Sequence, residues 1–267
     1  MLIAPLCSGS TANSTFIGDK KSGVLVDIGC SYKAFLSHME KCDLNVSAVK
    51  AVLITHEHSD HIAGLRVFMK NNTDIPVYVS KGTRQELLNK ANAVHDENML
   101  FDVSELEKGN AKLDFEIKAF NTPHDTVQSV GFMLTCPNGY KIAYLTDLGH
   151  ISETVETATL GCNFAVLESN YEPEMLRNNS IYPLQTKQRI SSNIGHLANG
   201  DSANYTARLI QNGATRIVLA HLSKQNNTPD LARRNTLGRL SSLGIKAGRD
   251  FTLDIAEVQT VGKYIAI

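Results

Sequence analysis

Several features that would mark a function class are missing from this chain. It carries no charge excess of either sign: 26 basic and 27 acidic side chains leave a formal net charge of −1. The broad basic footprint that accompanies a large duplex-wrapping surface is absent. A small basic rim around a site remains compatible, because steering depends on the local field. No apolar run reaches the length of a membrane span. The segment Met1-Leu2-Ile3-Ala4-Pro5-Leu6-Cys7 lacks the basic start and long apolar core of an export signal, which also argues against a lipoprotein reading of Cys7. Cysteines number five, at 7, 30, 42, 136 and 162, and no two form a Cys-x-x-Cys pair. Such a set reads as reduced, mostly buried thiols, so the expected location is the cytoplasm, with no membrane association. Internal repeats and low-complexity tracts are also lacking.

What is present suits one large domain or two small ones: 267 residues, 42% hydrophobic and 20% charged. Apolar patterning predicts strands at Val24 to Ile28, Ala51 to Ile54, Val77 to Val79, Phe115 to Phe120, Val130 to Thr135, Tyr140 to Thr146, Asn163 to Leu167, Thr215 to Ala220 and Phe251 to Glu257. Helices are expected at Tyr32 to Lys41, Ile62 to Lys70, Arg84 to Lys90, Ser202 to Gln211 and Pro229 to Leu243. The second of these should turn Leu65 and Phe68 or Met69 inward. Mixed strands and helices with short connections argue for an α/β layered domain. The stretch Asn170 to Ser192 fits neither pattern and reads as a surface excursion near the site.

The richest segment is Thr55-His56-Glu57-His58-Ser59-Asp60-His61, which follows the apolar run Ala51 to Ile54. In an extended chain, side chains alternate with period two, so His56, His58 and Asp60 are expected to point one way, with His61 following at the turn. Clustered imidazole and carboxylate donors are how a protein grips a transition metal. Four more ligand-type residues end predicted strands or sit in turns: His124, Asp147, Glu168 and His221. Alone, each reads more simply as a satisfied polar residue, but functional groups gather at strand ends in α/β sheets. Asp27 ends a strand just before Gly29 and suits either a turn-former or an acid that orients a ligand.

Taken together, these residues resemble the metallo-β-lactamase fold over essentially the whole chain. Thr55 to His61 is similar to that fold's His-x-His-x-Asp-His signature, and Asp27, His124, Asp147 and His221 stand in the order of its other motifs. More narrowly, Ser8-Gly9-Ser10 with Asn13, Glu168-Ser169-Asn170, Gly195-His196-Leu197 and His221 to Asn227 resemble the YycJ/WalJ/VicX group of bacterial hydrolases, thought to act as DNA exonucleases.

The resemblance implies a four-layer αββα sandwich spanning 1–267 as a single hydrolase domain. It also implies two divalent transition-metal ions. By position, His56, His58 and His124 would bind one ion; Asp60, His61 and His221 would bind the other; Asp147 would bridge them. The donor set suits zinc, manganese or iron, and the sequence does not choose among them. Class B β-lactamase activity is disfavoured: those enzymes are exported, and their site usually lacks an aspartate at the position of Asp147. The implied reaction is phosphodiester hydrolysis by a metal-bridging hydroxide. His196, polarised by Glu168, would donate a proton to the leaving group, as in the glutamate–histidine pair of tRNase Z-type enzymes. Capping of the loop from Gly195 to Gly200 is the plainer role for His196. Asp60 would serve first as a ligand, and in addition as a partner of the attacking water.

The expected substrate is nucleic acid, DNA in preference to RNA, cleaved as a 5′–3′ exonuclease. No room exists between Asp147 and His221 for the large inserted domain of the β-CASP branch, so single strands or ends are favoured, bound by a compact domain or by a homo-oligomer. Two other readings compete: a small-molecule cyclic or alkyl phosphodiesterase, and a non-catalytic metal-binding partner of a two-component signalling system. The turn Ser8 to Thr11 is either a phosphate-binding nest or a plain hairpin turn. Lys224, Arg177, Lys187 and Arg189 are candidate phosphate contacts, but solvated surface charge is the more common fate of any one of them. His38, His95 and His150 carry no motif support.

Overall fold

A computed structural model describes residues 1–108, 113–256 and 264–266. The chain forms two compact units: Met1–Ala119 with Thr126–Val130 and Val258–Ile267, and Phe120–Asp125 with Gly131–Glu257. Each is built on one mixed sheet with helices.

In the first unit, β1 (Leu2–Cys7), β2 (Ser14–Gly18) and β3 (Gly23–Val26) form an antiparallel meander. Helix α1 (Tyr32–Lys41) leads to β4 (Val49–Leu53), which lies parallel to β3. The single turn α2 (Ser59–Ile62) and helix α3 (Leu65–Asn71) follow, then β5 (Val77–Val79), α4 (Lys81–Asn89) and β6 (Leu100–Asp102). The expected helix from Ile62 to Lys70 is therefore two pieces, separated at Ala63 and Gly64, and Leu65, Phe68 and Met69 are all buried. Phe35 of α1 and Phe68 of α3 meet edge to face at 5.6 Å, with Tyr32 against both. Ser31 caps α1 and Ser80 caps α4, each hydroxyl accepting a backbone N–H three residues on.

β1 and β2 had no counterpart in the sequence reading. Pro5 interrupts the period-two pattern of β1, and it sits beyond the two residues that pair with β13 (Ile265–Ala266), next to a register shift. The turn between β1 and β2 is a hairpin turn: Ala12 N–H donates to the Gly9 carbonyl at 3.1 Å, and Gly9 N–H donates to Asn13 Oδ1 at 3.0 Å.

The second unit carries the last two residues of β7 (Glu116–Asn121) and all but the first of β8 (Val130–Thr135), then β9 (Lys141–Leu145), α5 (Glu153–Thr159) and β10 (Phe164–Glu168). α6 (Pro173–Asn178) and α7 (Leu184–Ile190) fill the stretch that fitted no pattern. Ile181 and Leu184 there are about 70% exposed (71% and 69%), as befits a surface excursion. α8 (Asn199–Gln211), β11 (Arg216–Ala220), α9 (Pro229–Ser242) and β12 (Thr252–Ile255) complete it. Of the predicted strand Phe251 to Glu257, Glu257 lies outside the described residues. α5 escaped the sequence reading although Ser152 with Glu153 and Glu156 is a helix-start signature; Ser152 Oγ does accept from Val155 N–H.

β9, β10, β11 and β12 run parallel, as do β3 to β6. Parallel strands buried on both faces read as continuous apolar runs, which is why β4, β9, β10 and β11 were visible in sequence. Their carboxyl ends lie side by side, so residues that follow adjacent strands become neighbours. In register, Leu167 of β10 pairs with Leu145 of β9 and Leu219 of β11. Asp147 and His221 each follow two residues beyond.

Gly29 is the tightest constraint in the first unit. A Cβ there would fall 1.6 Å from the Asp60 carbonyl oxygen and 2.7 Å from Asn13 N. Gly238, on the exposed face of α9, has open space around its Cβ position. Gly29→Ala is expected to destabilise by about 3 kcal/mol or more. Gly238→Ala is expected to stabilise by about 0.5–1 kcal/mol. Urea unfolding of the two variants checks both; equal midpoints would remove the steric account of Gly29.

Candidate metal centre

Each unit brings its own group of titratable side chains to the carboxyl edge of its sheet. In the first, Asp27 follows β3 with its backbone in the left-handed region, at φ 59°. It is fully buried. Its Oδ1 accepts from Thr55 N–H at 2.8 Å, and its Oδ2 accepts from Thr55 Oγ1 at 2.8 Å and lies 2.7 Å from His61 Nδ1. Burial pushes the Asp27 carboxyl above its ordinary value, against the opposing pull of His61 and Thr55. With His61 Nδ1 bound to Asp27, Nε2 is the nitrogen left for a ligand role.

The period-two reading holds only through His58. His56 and His58 rings lie 4.6 Å apart, and Glu57 turns elsewhere: its carboxylate accepts from Thr83 Oγ1 and Val127 N–H, both at 3.2 Å. Asp60 and His61 instead sit on the single helical turn α2, where consecutive residues do not alternate. That turn still returns His61 to the cluster, 4.1 Å from the His56 ring and with Nε2 3.5 Å from Asp60 Oδ2. Asn13 positions the loop. Its N–H donates to the Asp60 carbonyl at 2.8 Å, its carbonyl accepts from Gly29 N–H at 2.8 Å, and its side-chain amide reaches His61 Nε2 at 3.1 Å. Sequence reasoning noted Asn13 only as part of a motif. Its structural role depends on a contact 47 residues distant in sequence.

In the second unit, Asp147 and His221 also occupy left-handed backbone, at φ 58° and 56°. Such conformations cost non-glycine residues free energy and concentrate at functional sites. Asp147 Oδ1 lies 3.5 Å from His221 Nδ1 and 3.6 Å from both His196 Nδ1 and His124 Nε2. His124 Nδ1 donates to the Gly195 carbonyl at 2.9 Å. Burial lowers the His124 pKa, keeping its imidazole neutral to a lower pH than usual.

Glu168 is the hub of this group. Its Oε1 lies 2.9 Å from His196 Nδ1 and 2.7 Å from His221 Nδ1. Its Oε2 accepts from the backbone N–H of Leu148 at 2.7 Å and Leu197 at 3.1 Å. Burial alone would push the carboxyl up, but the His196 and His221 imidazoles together hold it below its ordinary value. The sequence reading paired Glu168 with His196 alone; the structure adds His221 and the peptide that follows Asp147. A cavity of about 370 Å³ opens beside His196, lined also by His150, Tyr171, Asn204 and Arg208.

Arg189 pairs with Asp125. Lys187 Nζ donates to the Arg177 carbonyl at 2.8 Å, and Lys224 is exposed. His150 Nδ1 lies 2.8 Å from the Asn193 carbonyl, and His95 is exposed.

Both groups offer imidazole nitrogen and carboxylate oxygen without sulfur, a donor set that fits divalent zinc, manganese or iron. In both, a buried carboxylate engages imidazole Nδ1 atoms, the orienting arrangement that metal-ligating histidines use.

The model of the family described as "Beta-lactamase superfamily domain" matches residues 23–222. The exodeoxyribonuclease YycJ of Bacillus anthracis is 36% identical over 249 residues, covering 93% of this chain and 92% of that protein. The exodeoxyribonuclease WalJ of Streptococcus pneumoniae serotype 2 is 32% identical over 246 residues, covering 92% and 90%. Among solved structures, Zn(2+)-bound PqqB from Methylobacterium extorquens shares the fold, with a TM-score of 0.69 over 100% of both chains at 14% identity. The chain belongs to the β-lactamase superfamily of metal-dependent hydrolases and, within it, to the YycJ/WalJ group.

Proposed function

We propose that this protein is a metal-dependent exodeoxyribonuclease that degrades DNA from 5′ to 3′, acting on single strands or ends. Both units together would form one hydrolase domain over 1–267. The single observation that carries the reading is the Glu168 hub, which joins a proton-donor candidate, His196, to a ligand candidate, His221, through one carboxylate. The names of two relatives above 30% identity over nine-tenths of the chain support DNA as the substrate. Five free, buried thiols support a reducing compartment, the cytoplasm. No helix among the described residues is long and apolar enough to cross a membrane.

His56, His58 and His124 would hold one divalent ion, Asp60, His61 and His221 a second, with Asp147 shared. This pairing of the two groups rests on the family signature. Ions held there would supply Lewis acidity, acidifying a water at neutral pH and offsetting phosphate charge. The protein's own contribution is positional. Asp27 holds His61 through Nδ1, and Glu168 holds His221 in the same way, so the Nε2 atoms are presented. Asp60 would add an acceptor for the attacking water. His196, with Nδ1 on Glu168, keeps Nε2 as the nitrogen that would protonate a leaving 3′ oxygen.

That assignment separates two substrates. A p-nitrophenolate leaves without protonation, whereas a sugar alkoxide does not. His196→Ala is expected to lower turnover of DNA by about 10²–10⁴, and of bis-p-nitrophenyl phosphate far less. Equal losses on both would remove His196 as the proton donor. Glu168→Gln should impair both substrates, since it also loosens His221.

Asp147→Asn, and removal of metal by a chelator, are each expected to abolish DNA hydrolysis while the circular dichroism spectrum is retained. Activity persisting in either case would exclude the mechanism, and inactivity of the wild type with every tested metal would favour a non-catalytic partner role.

The alternative of a small-molecule phosphodiesterase is supported by the near-neutral charge. Labelled single- and double-stranded DNA, presented with manganese or zinc at rising salt beside the small ester, distinguishes the two. The exonuclease reading expects processive shortening from the 5′ end and a steep fall in affinity with salt through counterion release. Cleavage of the ester alone, with little salt dependence, would overturn it.

A further inference from the structure

Three soft or borderline donors gather in the first unit, outside the groups described above. Cys7 ends β1, Cys30 follows Gly29, and His38 lies on α1. One ligand atom from each lies within 4.8 Å of the others. Both thiols are buried, at 3% and 8% exposure, and His38 is partly buried. His38 Nδ1 is itself buried and has no hydrogen-bond partner among the described residues. A polar nitrogen in that position is costly unless something binds it. Ligands of one zinc ion stand about 2.0–2.3 Å from it, so their mutual separations cannot exceed about twice that. In the tetrahedral geometry that zinc takes, such ligands stand about 3.3–3.8 Å apart, so the three atoms, all within 4.8 Å of one another, would draw closer on binding.

We propose that Cys7, Cys30 and His38 form a structural site for a thiophilic cation, zinc in the first instance, with water at the fourth position on the partly exposed His38 side. The site is separate from the hydrolytic groups, and its existence does not depend on the function proposed above. The Cys30 thiol is the readier of the two to ionise, and the ion would have to displace the Cys7 proton. Hydrogen bonding from Cys7 holds the Cys30 thiol below its ordinary value, and the same bond, with burial, holds Cys7 well above. Binding replaces both thiol protons with one cation, so it releases about two protons to solvent. The consequence is mechanical. The ion would tie the end of β1, the turn after β3 and the helix α1 together beside Gly29, whose Cα sits against Asp60 and Asn13. It would therefore brace the loop that carries Asp60 and His61.

Cobalt(II) is the probe, added to the full-length reduced protein under anaerobic conditions. A near-ultraviolet sulfur-to-cobalt charge-transfer band requires thiolate ligands, which the nitrogen–oxygen groups do not contain. The wild type is expected to develop that band and to bind about one more cobalt equivalent than Cys30→Ser, which should lack it. His38→Ala, which removes a partly exposed side chain, should weaken the cobalt dependence of the band at least tenfold. Asp147→Asn should leave it unchanged. No band in the wild type at saturating cobalt, an undiminished band in Cys30→Ser, unaltered affinity in His38→Ala, or its loss in Asp147→Asn would each overturn the proposal. So would a mass lower by two hydrogen atoms in the freshly isolated protein, mapped to a Cys7–Cys30 disulfide.

Discussion

Two buried carboxylates organise the histidine clusters of this protein. Asp27 in the first unit and Glu168 in the second are both fully buried, and each is satisfied by imidazole Nδ1 atoms and backbone N–H groups. A buried carboxylate without such partners would cost several kcal/mol. The partners are therefore held as firmly as the charges they satisfy. Because a histidine bound through Nδ1 presents Nε2, the demand to satisfy a buried charge also orients the nitrogen that His61 and His221 would offer to the proposed metal.

The backbone contributes a second constraint. Asp27, Asp147 and His221 all leave their strands through the left-handed region. A residue that turns this way at the carboxyl end of a parallel strand departs from the sheet direction at once and brings its side chain to the edge. Aspartate and histidine tolerate the region better than most residues, though still at a cost. Such strain persists only where surrounding bonds hold it. For His221, those include Asn170 Nδ2 to its carbonyl at 2.8 Å and Glu168 on its ring.

Much of this was legible in the sequence because of periodicity and local chemistry. The apolar runs of β4, β9, β10 and β11 stand out since a parallel strand buried on both faces has no polar alternation to disguise it. The ligand-type residues stand out because they interrupt those runs at their ends. What escaped detection was masked locally: β1 by Pro5, and α5 by its shortness. α2 escaped because a four-residue turn leaves no helical period to detect, so Asp60 reads as extended and only His61 as lying at the turn.

The residue types, their order and their spacing thus established the nitrogen–oxygen donor set and the strand-end placement of Asp27, Asp147, Glu168 and His221, since these follow from short-range pattern and side-chain chemistry. Only tertiary structure decided that Glu168 serves His221 as well as His196, that Asn13 clasps Asp60 and His61, that Gly29 leaves no space for a side chain, and that Cys7, Cys30 and His38 converge. Those outcomes depend on contacts between residues 28 to 53 positions apart, or between elements that sheet pairing and helix packing bring together, and no local pattern encodes them.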